Sequence, residues 1–240
     1  MKGKGTLQKK EHRSAVVFLI LILFATAFIT AFYYFDINQK KIIQVPYISQ
    51  KGSYITGCEL VSTTMVLNYY KYYVTVKDVA ERTPKSSLQQ KDGKTYGSNP
   101  SQAFIGDPTS SSGFGCFAPV VVSVMNSFFN DKKQKTAVDV TGSNFDSLLS
   151  YIKDGDPVIV WATMNMQPSH SGKSWILRDT GKTFTWPARE HCLVLVGFDR
   201  EKYYFNDPYQ SNGLKSYDKS IVQKRYCELG KQAIVVRNTK

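Results

Sequence analysis

The stretch from Gln50 to Tyr70, QKGSYITGCELVSTTMVLNYY, decides the fold because a loop changes within it into an apolar helix. Apolar or aromatic side chains recur every four residues at Val61, Met65 and Tyr69, and further apolar residues flank them. This spacing predicts a mostly buried helix from about Glu59 to Tyr70. The rest of the chain is therefore expected to pack around this segment.

Cys58 lies at the point where the loop meets this helix, directly after Gly57, which permits a sharp turn of the backbone. A cysteine at a helix N-terminus faces the positive end of the helix dipole, which favours the thiolate over the thiol. A thiolate that attacks an acyl group also needs a base and a donor for the oxyanion. Gln50, eight residues upstream, is the candidate donor, and the base has to come from a distant part of the chain.

His191 is the candidate base among the three histidines of the sequence. His12 lies in the N-terminal tail and His170 in a polar loop, whereas His191 begins the run HCLVLVGF. A short apolar run of this kind predicts a buried strand, on which an imidazole is held rigidly. Taken alone, a histidine at the start of a strand is more often only a packed core residue.

Asp207 is the candidate partner of His191. A turn at Asp199 and a return strand from Lys202 to Asn206 predict a hairpin that brings Asp207 close to His191. Cys58, His191 and Asp207 would then act as nucleophile, base and orienting group, with Asp207 accepting the Nδ1 hydrogen of the imidazole. An aspartate before a proline is also a common turn former, which is the structural alternative.

The other cysteines leave alternatives open. Cys116 also precedes a predicted helix and is a rival nucleophile, while Cys192 is expected to face into packing and Cys227 to be structural. The four cysteines could instead form two disulfides, for which three pairings exist. The sequence has no C-x-x-C pair and no H-E-x-x-H motif, and with three histidines we predict neither a metal nor a cofactor.

The N-terminal segment is predicted to be a membrane anchor. Residues 15–35 form an uncharged run of 21 residues, which at ~1.5 Å per residue just crosses a bilayer core as a helix. The positive charge of residues 1–14 predicts a cytoplasmic tail and a domain outside the cytoplasm. A cleaved signal peptide is the alternative, because the Ala-Thr-Ala at 25–27 resembles a cleavage site. A linker at 36–43 and a peptidase-like domain at 44–240 complete the predicted organisation.

Composition limits the partners that this domain is expected to bind. The formal net charge of the chain is +12, but the domain contains neither a block of lysine and arginine nor an arginine-rich helix. Binding to nucleic acid is therefore not predicted, whereas contact with anionic polymers of the bacterial cell envelope or a lipid surface fits the charge.

Helices are predicted mainly in the first part of the domain and strands mainly in the last part, which favours an α+β fold. Two polar segments with weak periodicity, 83–115 and 164–181, are predicted as long loops. After the first helix, further helices are predicted at 76–81, 120–129, between 143 and 154, and at 219–227. Strands are predicted at 137–140, 158–163, 183–186, 191–198, 202–206 and 232–236.

Seven motifs occur in this order: VPYISQ, GCELVSTTMVLNYY, NPSQAFIGDP, DGDPVIVW, WPAREHCLVLVGFD, YYFNDPY and GKQAIV. Together, from about residue 45 to 236, they resemble secreted or membrane-anchored relatives of the bacteriocin leader peptidases, which are family thirty-nine-like cysteine peptidases of the papain-like clan. The resemblance implies a papain-like fold with N-terminal helices packed on a late antiparallel sheet. It also implies Gln50 for the oxyanion hole, Cys58 as nucleophile, His191 as base and Asp207 as orienting group.

The sequence therefore predicts an extracytoplasmic, membrane-anchored cysteine peptidase that hydrolyses peptide bonds in peptide or protein substrates. Two alternatives use the same fold. One is a catalytically inactive domain that binds the envelope or acts as a scaffold, and the other is an acyltransferase that uses the same triad.

Overall fold

The computed structural model describes residues 17–31, 40–130 and 134–239, and the chain divides into two compact units, 1–40 and 41–240. In the first unit, residues 17–31 form helix α1, whose side chains are exposed. The predicted span at 15–35 is described only over α1, and the predicted tail lies outside the described residues. None of the helices in the described ranges combines the length and apolar character that crossing a bilayer requires.

The second unit contains the remaining elements. Its helices are α2 (Cys58–Tyr69), α3 (Val76–Arg82), α4 (Ala118–Phe129), α5 (Leu149–Asp154) and α6 (Lys219–Glu228). Its strands are β1 (Lys41–Ile42), β2 (Lys85–Ser86), β3 (Gln89–Lys91), β4 (Lys94–Gly97), β5 (Phe104–Ile105), β6 (Lys135–Asp139), β7 (Val158–Thr163), β8 (His170–Leu177), β9 (Thr183–Ala188), β10 (Glu190–Phe198), β11 (Lys202–Asn206), β12 (Leu214–Asp218) and β13 (Ala233–Asn238).

A central antiparallel sheet organises this unit. Its strand order is β12-β11-β10-β7-β13-β6, and the short β1 pairs with β10. Strands β7 and β10 are buried along their whole length, as expected for strands that read as continuous apolar runs. The predicted α+β fold is confirmed, with most helices early in the chain and the sheet strands mainly late.

Helix α2 is the buried element that the sequence predicts. All residues from Cys58 to Leu67 are buried, because the segment carries apolar or small residues around its circumference, with Glu59 as the exception. Its polar positions find partners: Thr63 and Thr64 donate to carbonyls four residues earlier, and Ser62 donates to the Cys192 carbonyl on β10 at 3.2 Å. The helix is thereby held directly against the central sheet.

The two predicted long loops are wrong. Residues 83–115 contain β2 to β5, and residues 164–181 contain most of a long strand, β8, which places His170 at an exposed strand start. Strands β3, β4, β8 and β9 form a second sheet of that order. Strand β3 and the first half of β8 carry polar, exposed residues, so they lack the apolar alternation that reveals a strand. Strand β9 contains the strand predicted at 183–186. A separate hydrophobic cluster, rich in aromatic side chains, supports this second sheet. Its buried members are Ile105, Trp175, Leu177 and Trp186.

Candidate active site

His191 and Asp207 lie in contact at the end of the β10–β11 hairpin. His191 Nε2 is 2.7 Å from Asp207 Oδ1, and both side chains are 1% exposed. The ladder pairs Val194 with Asn206, so Asp207, which follows β11, stands diagonally across from His191 rather than directly opposite. The predicted proximity is therefore present, but the nitrogen is Nε2 and not Nδ1. Nε2 lies farther from the backbone than Nδ1, so it is the nitrogen that reaches the diagonally placed Asp207.

The Asp207 carboxylate is held in a fixed position by more than the imidazole. The Tyr209 backbone N–H donates to Oδ1 at 3.0 Å, and the Tyr217 hydroxyl donates to Oδ2 at 3.5 Å. Burial alone would raise the pKa of Asp207, but the charge of His191 and the hydrogen bonds from His191, the Tyr209 N–H and the Gln210 side chain together hold it below its usual value. Asp207 is therefore ionised at neutral pH and fixes the orientation of the ring.

Cys58 begins α2 beside this pair and is 4% exposed. Its sulfur accepts a hydrogen bond from the Cys192 N–H at 3.4 Å, one residue from His191 along β10. Its thiol also faces Glu59 Oε2 at 3.3 Å. The Nδ1 atom of His191 has no hydrogen-bond partner in the part of the chain that is described. The thiol is thus turned toward Glu59 while the imidazole keeps one nitrogen free.

The helix dipole is expected to favour the thiolate of Cys58, but the surroundings of the sulfur act in the opposite direction. Burial raises the pKa of the Cys58 thiol well above its usual value, and the charges of Glu59 and Glu190 raise it further. The helix dipole stabilises a charge near a helix end by ~0.3–1 kcal/mol. Full burial of an ionisable group shifts its pKa by as much as ~3–5 units, which corresponds to roughly 4–7 kcal/mol. Desolvation and two neighbouring carboxyls therefore outweigh the dipole, and the sulfur keeps its proton.

Two buried glutamates beside Cys58 are absent from the predicted site. Glu59 Oε1 accepts the Cys116 N–H at 2.6 Å, and burial raises the pKa of both Glu59 and Glu190. Gly115 makes room for them, because a Cβ there would lie 2.2 Å from Glu59 Oε1. The signal available in the sequence was a glutamate inside each of two otherwise buried segments. Neither segment alone indicates that the two carboxyls meet.

Gln50 is buried, and its backbone contacts the residue that follows Asp207. Its N–H donates to the Pro208 carbonyl at 3.0 Å, directly after Asp207. Its side-chain Nε2 donates to the Ile55 carbonyl at 2.7 Å, and its Oε1 has no partner among the described residues. A side-chain amide carries two donor hydrogens, so one remains available beyond the Ile55 contact.

The remaining cysteines do not form the alternative disulfides. All four sulfurs are free, and Cys116 and Cys192 are fully buried while Cys227 is exposed on α6. The rival nucleophile Cys116 lies in the loop before α4, where its carbonyl accepts the Trp161 indole N–H at 3.1 Å. The predicted packing of Cys192 is confirmed, whereas the exposure of Cys227 contradicts a structural role within the core.

The α+β fold, with a buried cysteine at a helix start packed on the strand that carries a histidine, is the architecture of a papain-like cysteine peptidase. The chain belongs to the Peptidase_C39 like family, whose model matches residues 42–234. The family supports cysteine peptidase activity, and it implies peptide substrates.

Two relatives are similar over most of the chain. The uncharacterized protein YvpB of Bacillus subtilis (strain 168) is 28% identical over 181 residues, which cover 75% of this chain and 69% of YvpB. The crystal structure of a putative C39-like peptidase from Bacillus anthracis superposes with a TM-score of 0.72 at 26% identity. That match covers 85% of this chain and 98% of the other.

Proposed function

We propose that the chain is an extracytoplasmic, membrane-anchored cysteine peptidase that hydrolyses peptide bonds with Cys58 as nucleophile, His191 as base and Asp207 as orienting group. One observation carries the proposal: His191 Nε2 contacts Asp207 Oδ1 at 2.7 Å in a buried position, and His191 Nδ1 has no hydrogen-bond partner within the described ranges. The N–H of the next residue, Cys192, donates to the Cys58 sulfur. A free, oriented imidazole nitrogen beside a buried thiol is what acyl transfer through cysteine requires.

The first half of the reaction begins with the thiol. In the proposed first step, the Cys58 side chain turns from Glu59 toward His191, and Nδ1 takes the thiol proton. The sulfur then attacks the scissile carbonyl carbon, and the electron pair of the carbonyl moves onto its oxygen. Asp207 stabilises the imidazolium that forms. As the tetrahedral intermediate collapses, Nδ1 returns the proton to the leaving amine.

The second half regenerates the enzyme. Water gives a proton to His191 Nδ1 and attacks the thioester carbonyl, and the carboxylic acid leaves as the Cys58 thiol recovers its proton. In both halves the oxyanion is bound by the Cys58 N–H and by the Gln50 amide hydrogen that Ile55 does not use. Both donors belong to buried residues, Gln50 and Cys58, so little reorganisation of the donors is needed during the reaction.

A peptidyl probe with a thiol-reactive group tests this function, and Cys227 serves as its internal reference because it is the exposed thiol. We expect the peptidyl probe to label Cys58 at least ~10-fold faster than Cys227, because substrate-like binding aligns the reacting atoms. Iodoacetamide, which makes no such contacts, is expected to favour Cys227. Site-resolved mass spectrometry of the full chain measures both rates.

The variant His191→Ala separates catalysis from simple exposure of the thiol. It is expected to remove labelling of Cys58 by the peptidyl probe and to leave labelling of Cys227 unchanged. Labelling of Cys58 that survives His191→Ala would contradict the assigned base. Peptide cleavage slower than transfer of the acyl group to an added amine would assign the acyltransferase alternative.

Residues 15–35 are proposed as the anchor on the strength of their uncharged run and the basic residues before it. We expect the chain to stay in the membrane fraction after alkaline carbonate extraction, and a chain lacking residues 1–39 to be released. Protease added outside intact protoplasts is expected to digest the domain. A mature N-terminus just after residue 27 would contradict the anchor and support a cleaved signal peptide.

A further inference from the structure

The space beside the nucleophile contains three candidate metal ligands. The Cys58 sulfur and one carboxylate oxygen from each of Glu59 and Glu190 all lie within 4.8 Å of one another. All three side chains are buried, and Glu190 is 8% exposed with an Oε1 that has no hydrogen-bond partner among the described residues. Buried acidic groups are normally paired or bound to a cation. A carboxylate oxygen in this cluster that has no partner among the described residues is therefore a suitable cation ligand.

The distances fit a tetrahedral cation of the size of zinc. Zn–S bonds of ~2.3 Å and Zn–O bonds of ~2.1 Å at tetrahedral angles separate the ligand atoms by about 3.5 Å. Cys58 Sγ and Glu59 Oε2 are already 3.3 Å apart. Because the whole cluster lies within 4.8 Å, Glu190 needs a movement of only about 1 Å to complete three protein ligands.

The surroundings hold two of the ligands in place. Glu59 is oriented by the Cys116 N–H at 2.6 Å, which is the kind of outer contact that supports a metal-binding carboxylate. Cys58 is fixed by the first turn of α2 and by the Cys192 N–H. Gly115 leaves the space next to Glu59 and Glu190 free of a side chain.

We propose that Cys58, Glu59 and Glu190 form a divalent-cation site of zinc type, and that its occupancy blocks the nucleophile. A thiolate ligand selects zinc over magnesium or calcium, and water takes the fourth position. Binding forms one Zn–S and two Zn–O bonds, each ligand that was protonated releases its proton to solvent, and no electron is transferred. The sequence-based prediction of no metal considered mainly the histidines, whereas the proposed site uses one cysteine and two carboxylates.

The metal binding stands without the peptidase activity, whereas the inhibition rests on the proposed function. The chain offers a matched control, because a second Cys-Glu pair, Cys227 and Glu228, lies exposed at the end of α6. That pair has the same two ligand types in adjacent positions. The buried site differs from the Cys227–Glu228 pair in having a third ligand, the carboxylate of Glu190.

The test titrates the full chain with Zn²⁺ and, separately, with Co²⁺, whose thiolate complexes absorb in the near ultraviolet. We expect one Zn²⁺ per chain and a sulfur-to-cobalt absorption band, both retained in Cys227→Ser and Glu228→Gln. The band is expected to disappear in Cys58→Ser. The variant Glu190→Gln, nearly equal in size, should weaken Zn²⁺ binding at least about tenfold.

Folding of each variant is checked by its thermal unfolding midpoint, and Zn²⁺ should raise this midpoint for the wild type and lose that effect in Glu190→Gln. A band that depends on Cys227, or Zn²⁺ affinity unchanged in Glu190→Gln, overturns the proposal. Zn²⁺ binding at Cys58 in a chain without peptidase activity would reject the proposed function and keep the metal site. Peptidase activity that saturating Zn²⁺ leaves unchanged would reject the inhibitory site.

Discussion

Cys58→Ala is expected to abolish peptide hydrolysis, with a fall in kcat of at least ~1,000-fold. Alanine has no atom that can form the thioester, and what the oxyanion donors still contribute is small compared with loss of the nucleophile. The assay follows cleavage of a peptide substrate by the purified chain, after mass spectrometry has identified a substrate that the wild type cuts.

Cys227→Ala is the matched control for this substitution, because it removes an exposed thiol from α6. We expect its kcat to equal that of the wild type. Cys58→Ala is expected to stay folded, since the side chain becomes smaller and the main loss is the hydrogen bond from Cys192 N–H, worth ~1 kcal/mol. Hydrolysis that continues in Cys58→Ala at a tenth of the wild-type rate or more would show that another group is the nucleophile.

Asp207→Ala is expected to lower kcat by about 100- to 10,000-fold, because His191 then loses the acceptor that fixes its tautomer and orientation. Asp207→Asn is expected to stay within about tenfold of the wild type. The Tyr209 N–H donates to Oδ1, so the amide oxygen rather than the amide nitrogen should occupy that position and accept from His191 Nε2. Steady-state kinetics on the two variants measure this difference.

Asp199→Asn supplies the control for Asp207, because it makes the same chemical change in the turn of the same hairpin. Asp199 accepts hydrogen bonds from the N–H groups of Glu201 and Lys202, away from the site. Its kcat is expected to match the wild type. If Asp207→Asn lost as much activity as Asp207→Ala, the negative charge itself, rather than an accepted hydrogen bond, would be what the imidazole needs.

The elements predicted well are those whose pattern is local. Helix α2 and strands β7 and β11 follow from apolar runs that end at turn residues, and β7 and β11 have the bounds that the sequence predicts. The His191–Asp207 contact follows from the hairpin, because a turn fixes which residues come close. Which ring nitrogen of His191 contacts Asp207 depends on the offset between the two strands, and the turn alone does not determine that offset.

The features that were missed depend on residues far apart in the sequence. The second sheet joins β4 to β8, so the sheet as a whole is recognisable only once segments about eighty residues apart are brought together. The same is true of Glu59 and Glu190, which lie on α2 and β10. A rule based on the helix dipole predicted a thiolate, but the surroundings of the sulfur come from tertiary packing and decide its protonation.

The position of β13 has a consequence for synthesis of the chain. This strand, formed by residues 233–238 at the C-terminal end, lies between β7 and β6 rather than at an edge. A ribosome therefore synthesises residues 41–232 before the middle of this sheet can close. The nascent polypeptide stays without its complete core until residues 233–238 have emerged, so deletion of these six residues would remove the strand that joins β6 to the rest of the sheet.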